Sequence, residues 1–270
     1  MSSAEWLTKN RAMWDEKAPV HLTSPMYDVP GFKAGRLSLQ AHEIEDLRDV
    51  AGRDLIHLQC HIGLDTLSWA RLGANVTGVD FSAASIRGAE ALAEELGLKA
   101  QFHVCDVYDT PSVVGHRFDV VYTGVGALCW LPDIARWARV ARDLLKPGGE
   151  LYLFEFHPVE WMLDLAADGR LALNFDYFTP PEGYRDAGAV DYAGANEMQA
   201  SETVQWNHPL GAVVTALVDA GLRIDSLREL PASVLQKWDC MERTETGMFQ
   251  MAKGLPSTPL MYVLRASLRS

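Results

Sequence analysis

Between residues 54 and 157 the chain alternates strand and helix patterns in one steady rhythm, and few folds accommodate it. DLIHLQ (54–59) reads as a strand, and GLDTLSWARLG (63–73) as a helix closed by Gly73. NVTGVD (75–80) is a second strand. SAASIRGAEALAEELG (82–97) is a helix from an N-cap at Ser82 to Gly97. AQFHVCD (100–106) and RFDVVYT (117–123) are further strands. DIARWARVARDLLKPGG (133–149) reads as a helix with Asp133 near its N-cap and a Pro-Gly-Gly stop, before a fifth strand, ELYLFEFH (150–157). This order predicts a doubly wound α/β sheet. Residues 209–221 form a last helix. LRIDSLREL, an irregular stretch 231–259 and LMYVLRAS (260–267) then predict an antiparallel pair at the sheet edge.

The flanks differ. Residues 4–17 read as a helix, 18–35 as loop and turns rich in Pro and Gly, and 37–51 as a helix ending near Gly52. The expected organisation is a helical cap (1–52) followed by the main domain (53–270), with 158–208 as an insert. That insert carries Trp161, Phe175, Tyr177, Phe178, Tyr184, Tyr192 and Trp206 among turn residues. A loop-rich segment of this length serves as a lid or as a dimerisation flap.

The charge balance narrows the partners. With 36 acidic and 24 basic residues the net charge is −12, and no Lys/Arg run offers a basic groove. Such a surface repels nucleic acid and anionic membranes and favours a small-molecule partner. No run of roughly eighteen apolar residues predicts a membrane span. The start, MSSAEWLTKNRAMWDEK, lacks an apolar signal core. Four scattered cysteines (60, 105, 129, 240) suit free thiols in a cytoplasmic protein, monomeric or homodimeric.

In a doubly wound sheet the ligand sits at the carboxyl ends of the strands. The first strand ends at Gln59 and the second at Asp80, whose carboxylate suits a ribose diol. A dinucleotide pyrophosphate needs glycines for close backbone approach, and Gln59 and His61 hinder that. A cofactor without phosphates needs it less. The third strand ends in CDVYD, where Asp106 can accept from an adenine amino group and the Val107 N–H can meet a ring nitrogen. Phe81 can pack on adenine.

On these residues the chain resembles the class I S-adenosylmethionine-dependent methyltransferases. The resemblance runs over 54–157 and again from 209 onward. It narrows to bacterial small-molecule enzymes whose D-x-G-x-G-x-G loop is rewritten as L-Q-C-H-x-G. Here His57 stands for the strand acid, Gln59 and His61 for two glycines, and only Gly63 remains. Asp80, Asp106 and Lys146-Pro147-Gly148-Gly149 stand at family spacing. The resemblance implies a Rossmann-like seven-stranded sheet with N-terminal helices and a lid. It implies S-adenosyl-L-methionine as cofactor and S-adenosyl-L-homocysteine as product. Cys60, His61 and Gly63 would line the methionine part, mainly through backbone. Tyr122, Thr123 and Gly124 would lie beneath the sulfonium, and Trp14 would close the pocket.

Two histidines stand at the predicted rim. His157 ends the fifth strand, and His208 opens the last helix in WNHPLG. Each reads as a general base with near-neutral pKa or as a capping residue. Glu155 shares the face of His157. Trp130, Trp161, Tyr177, Trp206, with Tyr184 and Trp238, form an aromatic acceptor pocket or pack the insert on the sheet. His57, Cys60 and His61 suggest zinc by residue type, but strand alternation separates their directions, and no metal is expected. The expected activity is O- or N-methylation of a small acceptor, with secondary metabolism as one setting. The alternatives are a cofactor-binding scaffold without methyl transfer, and a methyltransferase acting on a macromolecule.

Overall fold

The computed structural model describes residues 3–166, 170–187, 191–193 and 202–268. Parts of the 158–208 insert therefore lie outside the described residues. Helices α1 (Ser3–Thr23), α2 (Val29–Lys33) and α3 (Ala41–Asp46) come first. The alternating region holds β1 (Asp54–Leu58), α4 (Leu64–Arg71), β2 (Asn75–Asp80), α5 (Ala83–Leu96) and β3 (Ala100–Val104). It continues through α6 (Thr110–Val114), β4 (Phe118–Thr123), α7 (Ile134–Leu144) and β5 (Leu145–Phe156). Helix α8 (Pro158–Met162) and the short strands β6 (Leu163–Leu165), β7 (Leu171–Leu173), β8 (Tyr184–Asp186) and β9 (Thr203–Gln205) make the insert. Helix α9 (Leu210–Asp219) and β10 (Leu222–Leu230) follow. The chain closes with β11 (Ala232–Ser233), β12 (Met241–Arg243), β13 (Phe249–Met251) and β14 (Met261–Leu268).

Seven strands form one sheet in the order β10-β14-β5-β4-β1-β2-β3. β1 pairs in parallel with both β2 and β4, while β14 runs antiparallel between β5 and β10. This is the expected Rossmann-like sheet with an antiparallel edge pair. Strand order reverses between β1 and β4, which opens the crevice at their carboxyl ends. Alternation along each strand serves two cores. Ile56, Leu58, Val121, Leu151 and Leu153 pack with Trp137 and Leu144 of α7 and Leu217 of α9. Leu55, Val120, Tyr122, Tyr152 and Phe154 pack with Trp69 of α4. Each such side chain contributes about 1.5–3 kcal/mol when fully buried.

Four boundaries differ from the sequence reading. Helix α1 continues past residue 17 to Thr23 with Pro19 inside it. An interior proline costs about 3 kcal/mol, but it is exposed here, and Ala18 and His21 beside it are fully buried against the domain. The helix expected over 37–51 shrinks to α3, because Asp49 (φ 67°) and Gly52 (φ 76°) turn the chain through the left-handed region. The segment LKPGG belongs to β5 rather than to α7. Pro147 cannot continue a helix, and the Lys146 ammonium binds Asp54 (2.7 Å) and Asp119 (2.9 Å) beside the amino ends of β1 and β4. The stretch 231–259, expected to be irregular, holds the three-stranded sheet β11-β13-β12 over Trp238, Met241, Met251 and Leu260.

Candidate active site

The loop after β1 keeps a glycine-type conformation without the glycines. Gln59 (φ 57°) and His61 (φ 52°) both occupy the left-handed region. That conformation costs a non-glycine residue about 1–2 kcal/mol. Hydrogen bonds hold the turn against it. The Cys60 N–H donates to Val79 O (2.9 Å), the Gln59 amide to Ala127 O (2.8 Å) and the His61 N–H to Asp80 Oδ2 (2.9 Å). Gly63 (φ 77°) has a further reason to remain, since a Cβ there would lie 2.6 Å from the Ala89 methyl. Cys60 is buried under the turn beside Gly78, and burial pushes its thiol well up. His57 is bonded through Nδ1 to Thr66 Oγ1 (2.9 Å), and burial lowers its pKa to about 3, so its ring is neutral.

Asp80, Phe81, Asp106, Val107 and Trp130 line one cleft at the carboxyl edge. Trp6 and Leu7 of α1 and Gln59 line it too, residues the sequence reading did not single out as binding groups. Asp80 Oδ2 accepts from His61 N–H and Oδ1 from Ser82 N–H (2.8 Å), so each oxygen keeps further acceptor capacity. Burial pushes the Asp80 carboxyl up to about 6, against the pull of those backbone donors. Asp106 is raised by burial and accepts from Tyr108 N–H (3.0 Å). Trp14 meets Trp130 edge-to-face with centroids 5.3 Å apart. Trp14 Nε1, Gln59 Oε1 and Thr123 Oγ1 are among the buried polar atoms that lack a partner within the described residues. Gly124 follows Thr123, and a Cβ on it would approach His57 Nε2 to 3.3 Å.

The two rim histidines are engaged in local structure. His157 caps α8, accepting from Val159 N–H at Nδ1 (3.1 Å), and its Nε2 lies 2.9 Å from Glu229 Oε1. His208 donates through Nε2 to Leu131 O (2.7 Å). Burial lowers the pKa of both. Glu155 gathers the 126–128 loop, accepting from the N–H groups of Gly126, Ala127, Leu128 and Phe156. Trp206 backs the cleft wall, edge-to-face against Trp6 at 5.8 Å. Trp161 packs on Phe175 and Tyr184, and the Tyr177 hydroxyl accepts from Leu210 N–H. Trp161, Tyr177 and Trp206 do not line the cleft. Trp238 lies in the apolar cluster beneath the small C-terminal sheet.

A second group of polar residues meets the same loop. His21 Nδ1 lies 3.0 Å from His61 Nε2, and His21 Nε2 lies 3.0 Å from Asp191 Oδ1. Tyr27 stacks on His21 (4.7 Å), and its hydroxyl is 2.6 Å from that of Tyr192. The Lys17 ammonium lies 5.4 Å from the Trp14 ring centre and 4.9 Å from that of Tyr192. Apart from His61 and Trp14, and Tyr192 as one of the insert aromatics, none of this group was picked out from the sequence. Trp14, Lys17 and His21 do share one helical face by spacing, but the pattern means little until Asp191 and Tyr192 arrive from the insert. Among the described residues no group of three or more His, Cys, Asp or Glu is arranged to hold a metal, and no helix is long and apolar enough to cross a membrane.

The sequence model of the family described as "Methyltransferase domain" matches residues 56–149. A ubiquinone biosynthesis O-methyltransferase from Methylobacterium sp. (strain 4-46) is 27% identical over 82% of this chain and 90% of its own length. One of the same description from Xanthomonas euvesicatoria pv. vesicatoria (strain 85-10) is 31% identical, and the match spans 52% of this chain and about half (54%) of that relative. The crystal structure of an S-adenosylmethionine-dependent methyltransferase from Mesorhizobium loti superposes with a TM-score of 0.59 at 21% identity, over 87% of this chain and 99% of that one. At that identity the likeness shows the fold. Sheet order, matched domain and relatives agree: the chain has the Rossmann-like methyltransferase fold, its residues 56–149 match a methyltransferase domain, and it is similar to S-adenosylmethionine-dependent methyltransferases.

Proposed function

We propose that the protein methylates a small-molecule acceptor, at oxygen or nitrogen, from S-adenosylmethionine held in the Asp80–Asp106 cleft. The observation that carries this is the polar inventory of that cleft. The cofactor has a ribose diol, an adenine, an ammonium and a carboxylate. Asp80 has acceptor capacity for the diol, and Asp106 and Val107, which the family resemblance assigns to adenine, line the same cleft. Gln59 Oε1, in the cleft lining, is an unpaired acceptor for the ammonium; just outside that lining, Trp14, which meets Trp130, and Thr123, at the end of β4, carry unpaired donors at Nε1 and Oγ1. Buried orphan atoms of this kind call for a partner. The bound cofactor supplies an electrophilic methyl on a good leaving group. The chain therefore has to orient the acceptor and exclude water.

A small acceptor is supported by the cover over the edge. Helix α1 contributes Trp6 and Leu7 to the cleft, and the insert is pinned to α1. Asn10 bonds both the N–H (2.9 Å) and the C=O (2.8 Å) of Val204. The net charge of −12 disfavours nucleic acid. The relatives described as O-methyltransferases support transfer to oxygen. The organisation proposed is a helical cap (1–52) and a catalytic domain (53–270) with the insert 158–208 on the substrate side. The test is calorimetric titration of the wild type and Asp80→Ala with S-adenosylmethionine. Losing charge-assisted bonds costs about 1.5–3 kcal/mol, or roughly tenfold to a hundredfold in Kd. Unchanged affinity in a folded variant would remove Asp80 from the site.

A further inference from the structure

We propose that His61, His21 and Asp191 form a proton relay that deprotonates the acceptor, and that the acceptor is a hydroxyl compound, phenolic in character. This rests on the methyltransferase reading above and adds the acceptor class and the base.

The hydrogen bonds fix the tautomers. A carboxylate accepts, so the Asp191 contact places a proton on His21 Nε2. The neutral His21 ring then offers a lone pair at Nδ1, so His61 Nε2 must carry the proton that bridges the two rings. His61 is left with a lone pair at Nδ1, and that nitrogen has no hydrogen-bond partner among the described residues. Accessibility gives the chain a direction. His21 and Asp191 are buried at 0% and 3% exposure, whereas His61 keeps part of its surface accessible. His61 packs edge-to-face on Trp14 with centroids 5.2 Å apart, and Trp14 in turn meets the cleft residue Trp130.

The step balances. The acceptor O–H bond breaks and its proton joins His61 Nδ1. The His61 Nε2 proton passes to His21 Nδ1, and the resulting imidazolium keeps its bond to the Asp191 carboxylate. The methyl goes to the acceptor oxygen, and the relay later returns one proton to solvent. A neutral amine is nucleophilic without such a base, whereas a hydroxyl needs it. The Lys17 ammonium beside this group favours an oxygen that gains negative charge, and the rings of Trp14, Tyr27 and Tyr192 suit an aromatic body. The groups facing the two imidazoles are Lys17, Trp14 and Tyr27 from the N-terminal segment, Asp191 and Tyr192 from the insert, and His57 from β1. His61 is the catalytic residue; His21 and Asp191 act through it as positioning residues.

The experiment compares the full-length wild type, His61→Gln and Asp191→Asn with two probes, phenol and 4-nitrophenol, the second ionised under the assay conditions. Product S-adenosylhomocysteine is measured, and cofactor binding is followed by calorimetry. Both variants should lose about 10²–10⁴-fold in kcat with phenol and far less with 4-nitrophenol, which arrives without its proton. Equal losses with both probes indicate a structural role and overturn the relay. A wild type that binds the cofactor but turns over neither probe overturns the acceptor class. Failure to bind the cofactor at all removes the underlying methyltransferase reading instead. Ring ¹⁵N spectra of the chain saturated with S-adenosylhomocysteine test the tautomers without an acceptor: His61 should be protonated at Nε2 and bare at Nδ1, and the reverse overturns the relay.

Discussion

Two buried glutamates show how partner chemistry decides protonation. Glu43 accepts from the Tyr122 hydroxyl (2.6 Å) and from Gln40 N–H (2.8 Å), and burial pushes its pKa from 4.5 up to about 8. The Tyr122 hydroxyl can reverse its role, so a protonated Glu43 loses no bond. The folded state thus binds a proton that the unfolded chain releases above 4.5. The resulting stability is complete below that value and is lost as pH rises through about 8. Gln at this position copies the protonated acid, donating to Tyr122 and accepting from Gln40. Glu43→Gln should therefore match the wild type below the window and exceed it by about 2–5 kcal/mol above it, as read by urea unfolding at the two pH values. Glu155 differs because its four partners are backbone N–H groups, which cannot turn round. Burial pushes it up to about 7, yet all four bonds need both oxygens bare. Glu155→Gln would face an amide NH2 against backbone donors and should destabilise by about 1–3 kcal/mol per orphaned donor, visible as a lower Tm. A stable Glu155→Gln would show that the 126–128 loop is not held by this carboxylate.

Among the elements, helix α4 depends on how closely it starts against its neighbours. Gly63 precedes it at φ 77°, with Ala89 of α5 and Phe102 of β3 closing the space where a side chain would be. Gly63→Ala combines left-handed strain with overpacking, together about 2–5 kcal/mol. Chemical denaturation should show that loss, whereas an unchanged midpoint would mean that α4 can shift without cost. Helix α1 and the β8–β9 ribbon depend on each other in a different way. Asn10 satisfies both backbone groups of Val204 as an added edge partner would. Asn10→Ala leaves those groups without protein partners, so amide exchange at 202–206 should accelerate while global unfolding shifts little. Slow exchange there in the variant would show that Trp206 packing alone holds the ribbon.

For the whole molecule, the cleft is assembled from distant parts of the chain: Trp6 and Leu7 from α1, Asp80 and Phe81 after β2, Asp106 and Val107 after β3, and Trp130 after β4. A ligand that bridges these parts couples them. S-adenosylhomocysteine at about a hundred times its Kd adds about 2.7 kcal/mol to stability. At about 2–4 °C per kcal/mol for a chain of this size, Tm should rise by roughly 5–11 °C. Exchange at the amides of α1 should slow in the same complex. A thermal shift without protection of α1 would place the ligand away from the helix.

The strand and helix periodicities, with Asp80 ending its strand and Asp106 just beyond the end of its own, determined the doubly wound sheet and the location of the cleft, because those signals are local. The loop after β1 was legible as a departure from a glycine pattern. Only the tertiary structure decided that Gln59 and His61 adopt the glycine conformation, since the bonds holding them come from Val79, Asp80 and Ala127. The extent of α1 was decided the same way, by burial of Ala18 and His21 outweighing Pro19. His157 and His208 drew attention by residue type, yet their neighbours engage them as a cap and as a donor to Leu131. His21, His61 and Asp191 lie 40 and 130 residues apart in turn, and no local pattern joins them. Hydrogen bonding between groups so far apart depends on how α1, the β1–α4 loop and the insert are brought together, and the sheet and its two cores set that arrangement.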